Sequence, residues 1–135
     1  MKILVTGATG FIGSHLLEEL EQQGYNFIGT SLRKEGRKCV KISLEKDTDW
    51  SQILKNIDCV IHLAGLAHGN YSDNKFNEIN FEGSSKLVKQ CVKNNVKKFI
   101  YLSSVSVMGN YKNRYSLKDI PRPSSSYGVS KLKSE

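Results

Sequence analysis

Several absences narrow this 135-residue chain before any motif is considered. Its three cysteines, Cys39, Cys59 and Cys91, are odd in number, and no two lie at C-x-x-C spacing. Each sits in an apolar stretch, so they read as buried thiols of a reducing compartment rather than a disulfide frame. His15, His62 and His68 show no ligand spacing with them, so no metal site is expected. No apolar run approaches the roughly 18 residues needed to cross a bilayer. Met1-Lys2 leads straight into a strand-like stretch, without the apolar core or cleavage site of a signal peptide. A cytoplasmic protein without a membrane partner is the expectation. The net charge is +7, yet no basic block with interleaved aromatics occurs, so nucleic acid is not an expected partner. There is no internal repeat, low-complexity tract or linker.

What is present is ordinary globular material, 39% hydrophobic and 24% charged, at a length that suits one domain. Lys2 to Thr6 is short, apolar and β-branched, which predicts a strand. Ile12, Leu16, Leu17 and Leu20 then recur at helical spacing until Gly24. Strands are predicted at Tyr25 to Thr30, around Val40, Ile42 and Leu44, at Asp58 to Leu63 and at Phe99 to Leu102. Between them lie a short helix from Asp49 to Asn56 and a long one through Phe76, Ile79, Gly83, Leu87 and Cys91 to about Asn94. Ser124 to Ser126 can cap a last helix beginning near Tyr127. Alternating strands and helices predict an α/β fold: a Rossmann-type, doubly wound parallel sheet of about five strands in order 3-2-1-4-5.

The glycines Gly7, Gly10 and Gly13 follow the first strand and open the first helix. In that context they predict a dinucleotide pyrophosphate site. Gly7 makes the tight turn, Gly10 lets backbone N–H groups reach the phosphates, and Gly13 lets the helix pack close. The helix N-terminus adds partial positive charge. At the end of the second strand, where an acid accepts the ribose hydroxyls of NAD, the chain has Ser31, followed by Arg33 and Lys34. This favours NADP over NAD as cofactor.

The G-x-x-G-x-x-G spacing, within Thr6-Gly7-Ala8-Thr9-Gly10-Phe11-Ile12-Gly13-Ser14-His15-Leu16, resembles the extended branch of the short-chain dehydrogenase/reductase superfamily, the nucleotide-sugar epimerases and dehydratases. His62-Leu63-Ala64-Gly65, Asn80, Leu102-Ser103-Ser104 and Tyr127-x-x-x-Lys131 match the family's later motifs in order. Asp47 to Trp50 resembles relatives of UDP-N-acetylglucosamine or UDP-glucose 4-epimerase.

The resemblance implies a cofactor site built from Gly7, Thr9, Gly10, Phe11, Ile12 and Gly13, from Ser31, Arg33, Ser43 and Leu44, and from Leu63, Ala64, Gly65, Asn80 and Ser103. Ser43 stands where the family often carries an aspartate toward the adenine. The resemblance implies Ser104, Tyr127 and Lys131 as catalytic residues, the last two also touching cofactor. Tyr127 and Lys131 share one helix face at a spacing of four. A phenol near pKa 10 is a poor base at neutral pH, and a neighbouring ammonium favours its ionised form. Tyr127 would then take the proton of a sugar hydroxyl during hydride transfer, with Ser104 holding the reacting oxygen.

The 4,6-dehydratases carry Asp-Glu after this position; Val105 and Ser106 stand there instead, which favours epimerisation. An NAD(P)-dependent sugar or carbonyl reductase, or a dinucleotide-binding module without catalysis, remain the alternatives. The implied substrate is a nucleotide sugar, a UDP-sugar first. The chain stops at Glu135 inside the last helical pattern, so residues 1–135 are expected to be a truncated cofactor domain lacking its substrate domain and inactive alone. An apolar edge at Phe99 to Leu102 is expected to favour a homodimer.

Overall fold

The computed structural model describes residues 1–33, 38–67, 69–111 and 114–135; Lys34 and His68 lie outside them. Five parallel strands form one sheet in order β3-β2-β1-β4-β5. They are β1 (Lys2–Thr6), β2 (Asn26–Ser31), β3 (Cys39–Lys41), β4 (Cys59–His62) and β5 (Lys98–Tyr101). The order reverses between β2 and β4 on either side of β1, and at such a switch point the loops leaving the strands open a crevice.

Side-chain alternation along β1 divides the core. Ile3 and Val5 face Phe27, Cys59 and Leu20, the last from α1 (Phe11–Gln22). Leu4 faces the other way, onto Val60, Trp50, Leu54 and Leu87. Helices therefore cover both faces, as the apolar run of β4 requires. Leu4, Val60 and Leu87 are completely buried; each contributes about 1.5–3 kcal/mol relative to an exposed side chain. Cys59 and Cys91 are buried, and burial pushes the Cys91 thiol up to about 11, whereas Cys39 is only half-buried.

Three local expectations are corrected. Asp49 to Asn56 is a string of turns rather than a helix. Asp49 takes the N–H of Ser51 on its own carboxylate (2.9 Å), Asn56 adopts φ +60°, and Gln90 fastens the segment from across the core. The Gln90 Oε1 accepts from Trp50 N (2.7 Å) while its Nε2 donates to Thr48 O (2.9 Å). Trp50 is thus held by tertiary contacts instead of by a helix. The long helix, in turn, is three pieces: α2 (Asp73–Phe76), a π-helical stretch Asn77–Gly83, and α3 (Ser84–Lys93). Such wide turns turn a side chain inward at functional sites, and here the side chain is Asn80. The third strand also ends at Lys41, short of Ile42 and Leu44.

Candidate functional site

The loop from β1 into α1 is shaped by contact, with Gly7 at φ +70°. A Cβ on Gly13 would stand 2.2 Å from the Gly7 carbonyl oxygen, so only glycine lets the helix start this close to the turn. Gly10 is the N-cap of α1 and offers no side-chain hydrogen bond. The first N–H groups of the helix are therefore left for a ligand, and they carry the positive end of the helix dipole. They open on a cleft of about 480 Å³ whose rim is Gly7, Thr9 and Gly10.

One wall of that cleft is the end of β2. Ser31 is buried, its hydroxyl is 2.8 Å from that of Thr9, and it accepts the backbone N–H of Arg33 at 3.2 Å. Ser43 and Leu44 form the next part of the wall, and Leu63, Ala64 and Gly65 the far side. Ten residues singled out from the sequence are thus brought together around one cleft. Phe11 and Ile12 lie outside its lining, 83% and 51% exposed at the start of α1. Tyr71 and Lys75 join the lining without having been singled out, and Trp50, noted only within the Asp47 to Trp50 stretch, joins it too. The one signal for Lys75 is Ser72, which caps α2 by accepting Lys75 N at 3.3 Å and so fixes the start of the helix that carries it.

The far wall is held from behind. Thr6 Oγ1 accepts the N–H groups of Leu63 (3.2 Å) and Ala64 (3.1 Å), so its own proton goes to His62 Nδ1, 2.6 Å away. His62 is then protonated on Nε2, which donates to Ser84 Oγ at 2.8 Å. Burial, helped by the Lys131 charge, lowers the imidazole pKa to about 3, so the ring is neutral. His62 is completely buried and supports the cleft without lining it.

Asn80 couples this wall to the last helix, α4 (Ser126–Ser134). Its Oδ1 accepts Leu66 N (2.7 Å), and its Nδ2 donates to Leu66 O (2.9 Å) and Ser130 Oγ (2.9 Å). The amide is fully used by the protein, so Asn80 acts by clamping the Leu66 loop to α4. Ser130 and the role of Thr6 were not read from sequence; the Thr6 hydroxyl meets only residues far along the chain, and Ser130, besides donating to Tyr127 O, accepts from Asn80 far away in sequence.

α4 carries Tyr127 and Lys131. A Cβ on Gly128 would fall 2.4 Å from the Ser106 carbonyl oxygen, so α4 packs directly on the 3₁₀ turn Val105–Met108. Ser104 caps that turn, accepting Ser106 N at 3.1 Å. The half-buried Tyr127 ring lies 6.2 Å from that of Phe76. Lys131 is buried, donates to Leu102 O at 2.7 Å, and has its pKa lowered to about 8 by burial, against the pull of Glu135. Ser103 donates to the Glu135 carboxylate. Neither Ser103, Tyr127 nor Lys131 lines the cleft itself. A second concavity, of about 530 Å³ between Asp73 and Lys133, contains the N-terminus of α4, but there the Ser125 hydroxyl already accepts Gly128 N. Among the described residues no helix is long and apolar enough to cross a membrane, and no three His, Cys, Asp or Glu side chains converge on a metal position.

Comparison with known proteins agrees with this geometry. Residues 3–135 match the model of the NAD dependent epimerase/dehydratase family. The uncharacterized UDP-glucose epimerase YtcB of Bacillus subtilis is 32% identical, with 100% of this chain and 50% of that protein aligned. The structure of MoeE5 with UDP-glucuronic acid and NAD superposes with a TM-score of 0.91 at 34% identity, over 99% of this chain and 47% of that one. UDP-glucuronic acid 4-epimerase from Bacillus cereus with NAD gives a TM-score of 0.85 at 33% identity, over 99% and 50%. The chain spans about half the length of these relatives. With its sheet order, its glycine loop and these similarities taken together, the chain belongs to the NAD dependent epimerase/dehydratase family.

Proposed function

We propose that this chain is the cofactor-holding part of an NAD(P)-dependent nucleotide-sugar epimerase-type oxidoreductase that works at a sugar carbinol carbon. The observation that carries the reading is the uncapped N-terminus of α1 opening on the cleft rimmed by Gly7, Thr9 and Gly10. Its N–H groups suit a pyrophosphate, and no side chain competes for them. Bound nicotinamide supplies a hydride acceptor.

The chain's own residues do the rest. Tyr127 takes the proton of the sugar hydroxyl, Ser104 hydrogen-bonds the reacting oxygen, and Lys131 donates to the ribose next to the nicotinamide. Leu63, Ala64, Gly65 and Ser103 shape that end, with Asn80 fixing the wall; Ser43 and Leu44 shape the adenine end. Val105 and Ser106 offer no carboxylate for eliminating water, which favours 4-epimerisation over 4,6-dehydration. An NAD(P)-dependent reductase would use the same groups.

The dinucleotide itself turns on Ser31. A hydroxyl there does not repel a 2′-phosphate as a carboxylate would, and Arg33 adds attraction, which favours NADP. The solved relatives named above hold NAD, so NAD is expected to bind as well. Those structures also hold or are named for UDP-sugars, and a UDP-sugar is the proposed substrate.

A second reading follows from length. Because the chain spans about half of its relatives, these 135 residues alone are expected to bind dinucleotide without turning over a sugar. Titration calorimetry of the chain with NAD, NADP and a UDP-sugar separates the readings. Dinucleotide heat that disappears in Gly13→Val supports the cofactor site; no dinucleotide heat from the folded chain sinks it.

A further inference from the structure

Lys131 is 6% exposed, which is unusual for a side chain meant to stay charged. It has one hydrogen-bond acceptor among the described residues, Leu102 O at 2.7 Å. Its Nζ also stands 4.2 Å from the centroid of the Tyr101 ring. A desolvated ammonium this close to an aromatic face is attracted by the ring quadrupole.

Tyr101 is suited to that task by what it does with its two parts. Its ring stacks with the His62 imidazole, centroids 5.8 Å apart and planes 29° from parallel, and β5 pairs Tyr101 with His62 in register. Its hydroxyl is buried with no partner in hydrogen-bond geometry among the described residues, and Ser134 is the side chain that its charge feels nearby. The ring, not the hydroxyl, is therefore the part in use. A carboxylate in this place would consume the ammonium's N–H donors. A ring face attracts the charge and leaves donors free.

The surrounding groups agree with a single positive charge here. His62, from β4, is kept neutral by burial and by Lys131, so it does not compete for the ring. Tyr127 comes from α4 and Glu135 from its C-cap, and Glu135 favours the charged Lys131. Without a seat, a lysine this close to the surface extends its ammonium to water.

We propose that the Tyr101 ring is the seat of the Lys131 ammonium, a positioning residue that holds the charge at the end of β5 with its spare N–H donors presented to the dinucleotide. This rests on the reading of Lys131 as a cofactor-holding group.

The test replaces Tyr101 by Phe, and then by singly, doubly and triply fluorinated Phe, rings of nearly one size whose faces are progressively drained of negative potential. Lys131 is followed by NMR of lysine-labelled chain, with Lys131→Met assigning the signal, and NADH and NADPH affinity by fluorescence. Thermal melts confirm folding. Tyr101→Phe is expected to keep both the Lys131 titration near 8 and the affinity. Fluorination is expected to lower the Lys131 midpoint stepwise and to weaken dinucleotide binding by about tenfold across the series. A midpoint that stays constant in folded variants overturns the seat. A midpoint that falls while affinity stays constant overturns the positioning role. Should Lys131→Met leave affinity unchanged, the reading of Lys131 itself fails, and the titration series tells that failure apart because it reads the ammonium directly.

Discussion

Thr6 and His62 share a buried hydrogen bond of 2.6 Å between Oγ1 and Nδ1, joining the C-terminal ends of β1 and β4. Its direction follows from bookkeeping of protons: Thr6 Oγ1 already accepts two backbone N–H groups, so it must donate to the imidazole. The far wall of the cleft thereby depends on a histidine that does not line it.

Acid should expose that dependence. The folded-state pKa of His62 is lowered from 6.5 to about 3. Between those values the unfolded chain binds a proton that the folded chain does not, so stability falls as pH falls through this window. The slope from this one group is about 1.4 kcal/mol per pH unit. Urea unfolding at pH 7, 6 and 5 should show the fall, and the His62 ring signals in NMR should not titrate down to pH 5. A ring titrating near 6.5 in the folded chain would refute the buried neutral state.

Thr6→Val should be costly although it keeps size and branching. Ala64 N–H and His62 Nδ1 lose their partner, while Leu63 N–H keeps Thr6 O at 3.3 Å, and an unsatisfied buried group costs about 1–3 kcal/mol. Thr6→Ser should recover most of the loss in both urea midpoint and dinucleotide affinity. Equal stability of Thr6→Val and wild type would remove the hydroxyl from this role.

Gly13→Ala should destabilise the start of α1. The added methyl would lie 2.2 Å from the Gly7 carbonyl oxygen and 2.9 Å from Ala8 backbone atoms, none of which is a flexible side chain. A cost of about 1–3 kcal/mol is expected for such crowding, with dinucleotide affinity falling further because the loop must shift. Calorimetry and denaturation on the same variant measure the two effects; a neutral substitution would mean that the loop is wider than described.

Ser31→Asp should exchange cofactor preference. The carboxylate would meet ribose hydroxyls favourably and a 2′-phosphate unfavourably. NADP affinity is expected to fall about tenfold or more, roughly 1.4 kcal/mol, while NAD affinity rises. Parallel titrations with both dinucleotides decide it, and an unchanged ratio would separate Ser31 from the ribose.

The outer edge of β5 has no neighbouring strand among the described residues, and beside it Ile100 is 46% and Leu102 40% exposed. Unpaired strand edges with apolar side chains recruit other chains. Light scattering of the chain should show mass rising toward a dimer with concentration; a constant monomer mass would contradict this.

Much of this was legible in the residues because it is local. Short apolar runs marked β1 and β4, helical spacing marked α1, and the glycines after Thr6 marked the cleft. The helix expected at Asp49 to Asn56 failed because Trp50 and Leu54 are apolar at helical spacing for a different reason: they fill the core from a turn segment fastened by Gln90. The π-helical stretch was invisible for a similar reason. Wide and ordinary turns place apolar residues at nearly the same spacing, and only the partners of Asn80 distinguish them.

By itself, then, the sequence determined the parallel sheet, its strand order, the glycine loop and the family to which the loop belongs, since each follows from short-range periodicity or from contiguous motifs. The tertiary structure decided how those motifs are held. Thr6, His62 and Ser84 form one chain of protons, Asn80 ties the Leu66 loop to α4, and Tyr101 receives Lys131. These links join residues that are distant in sequence, and a buried polar or charged side chain finds its partner only when packing has excluded water from around both.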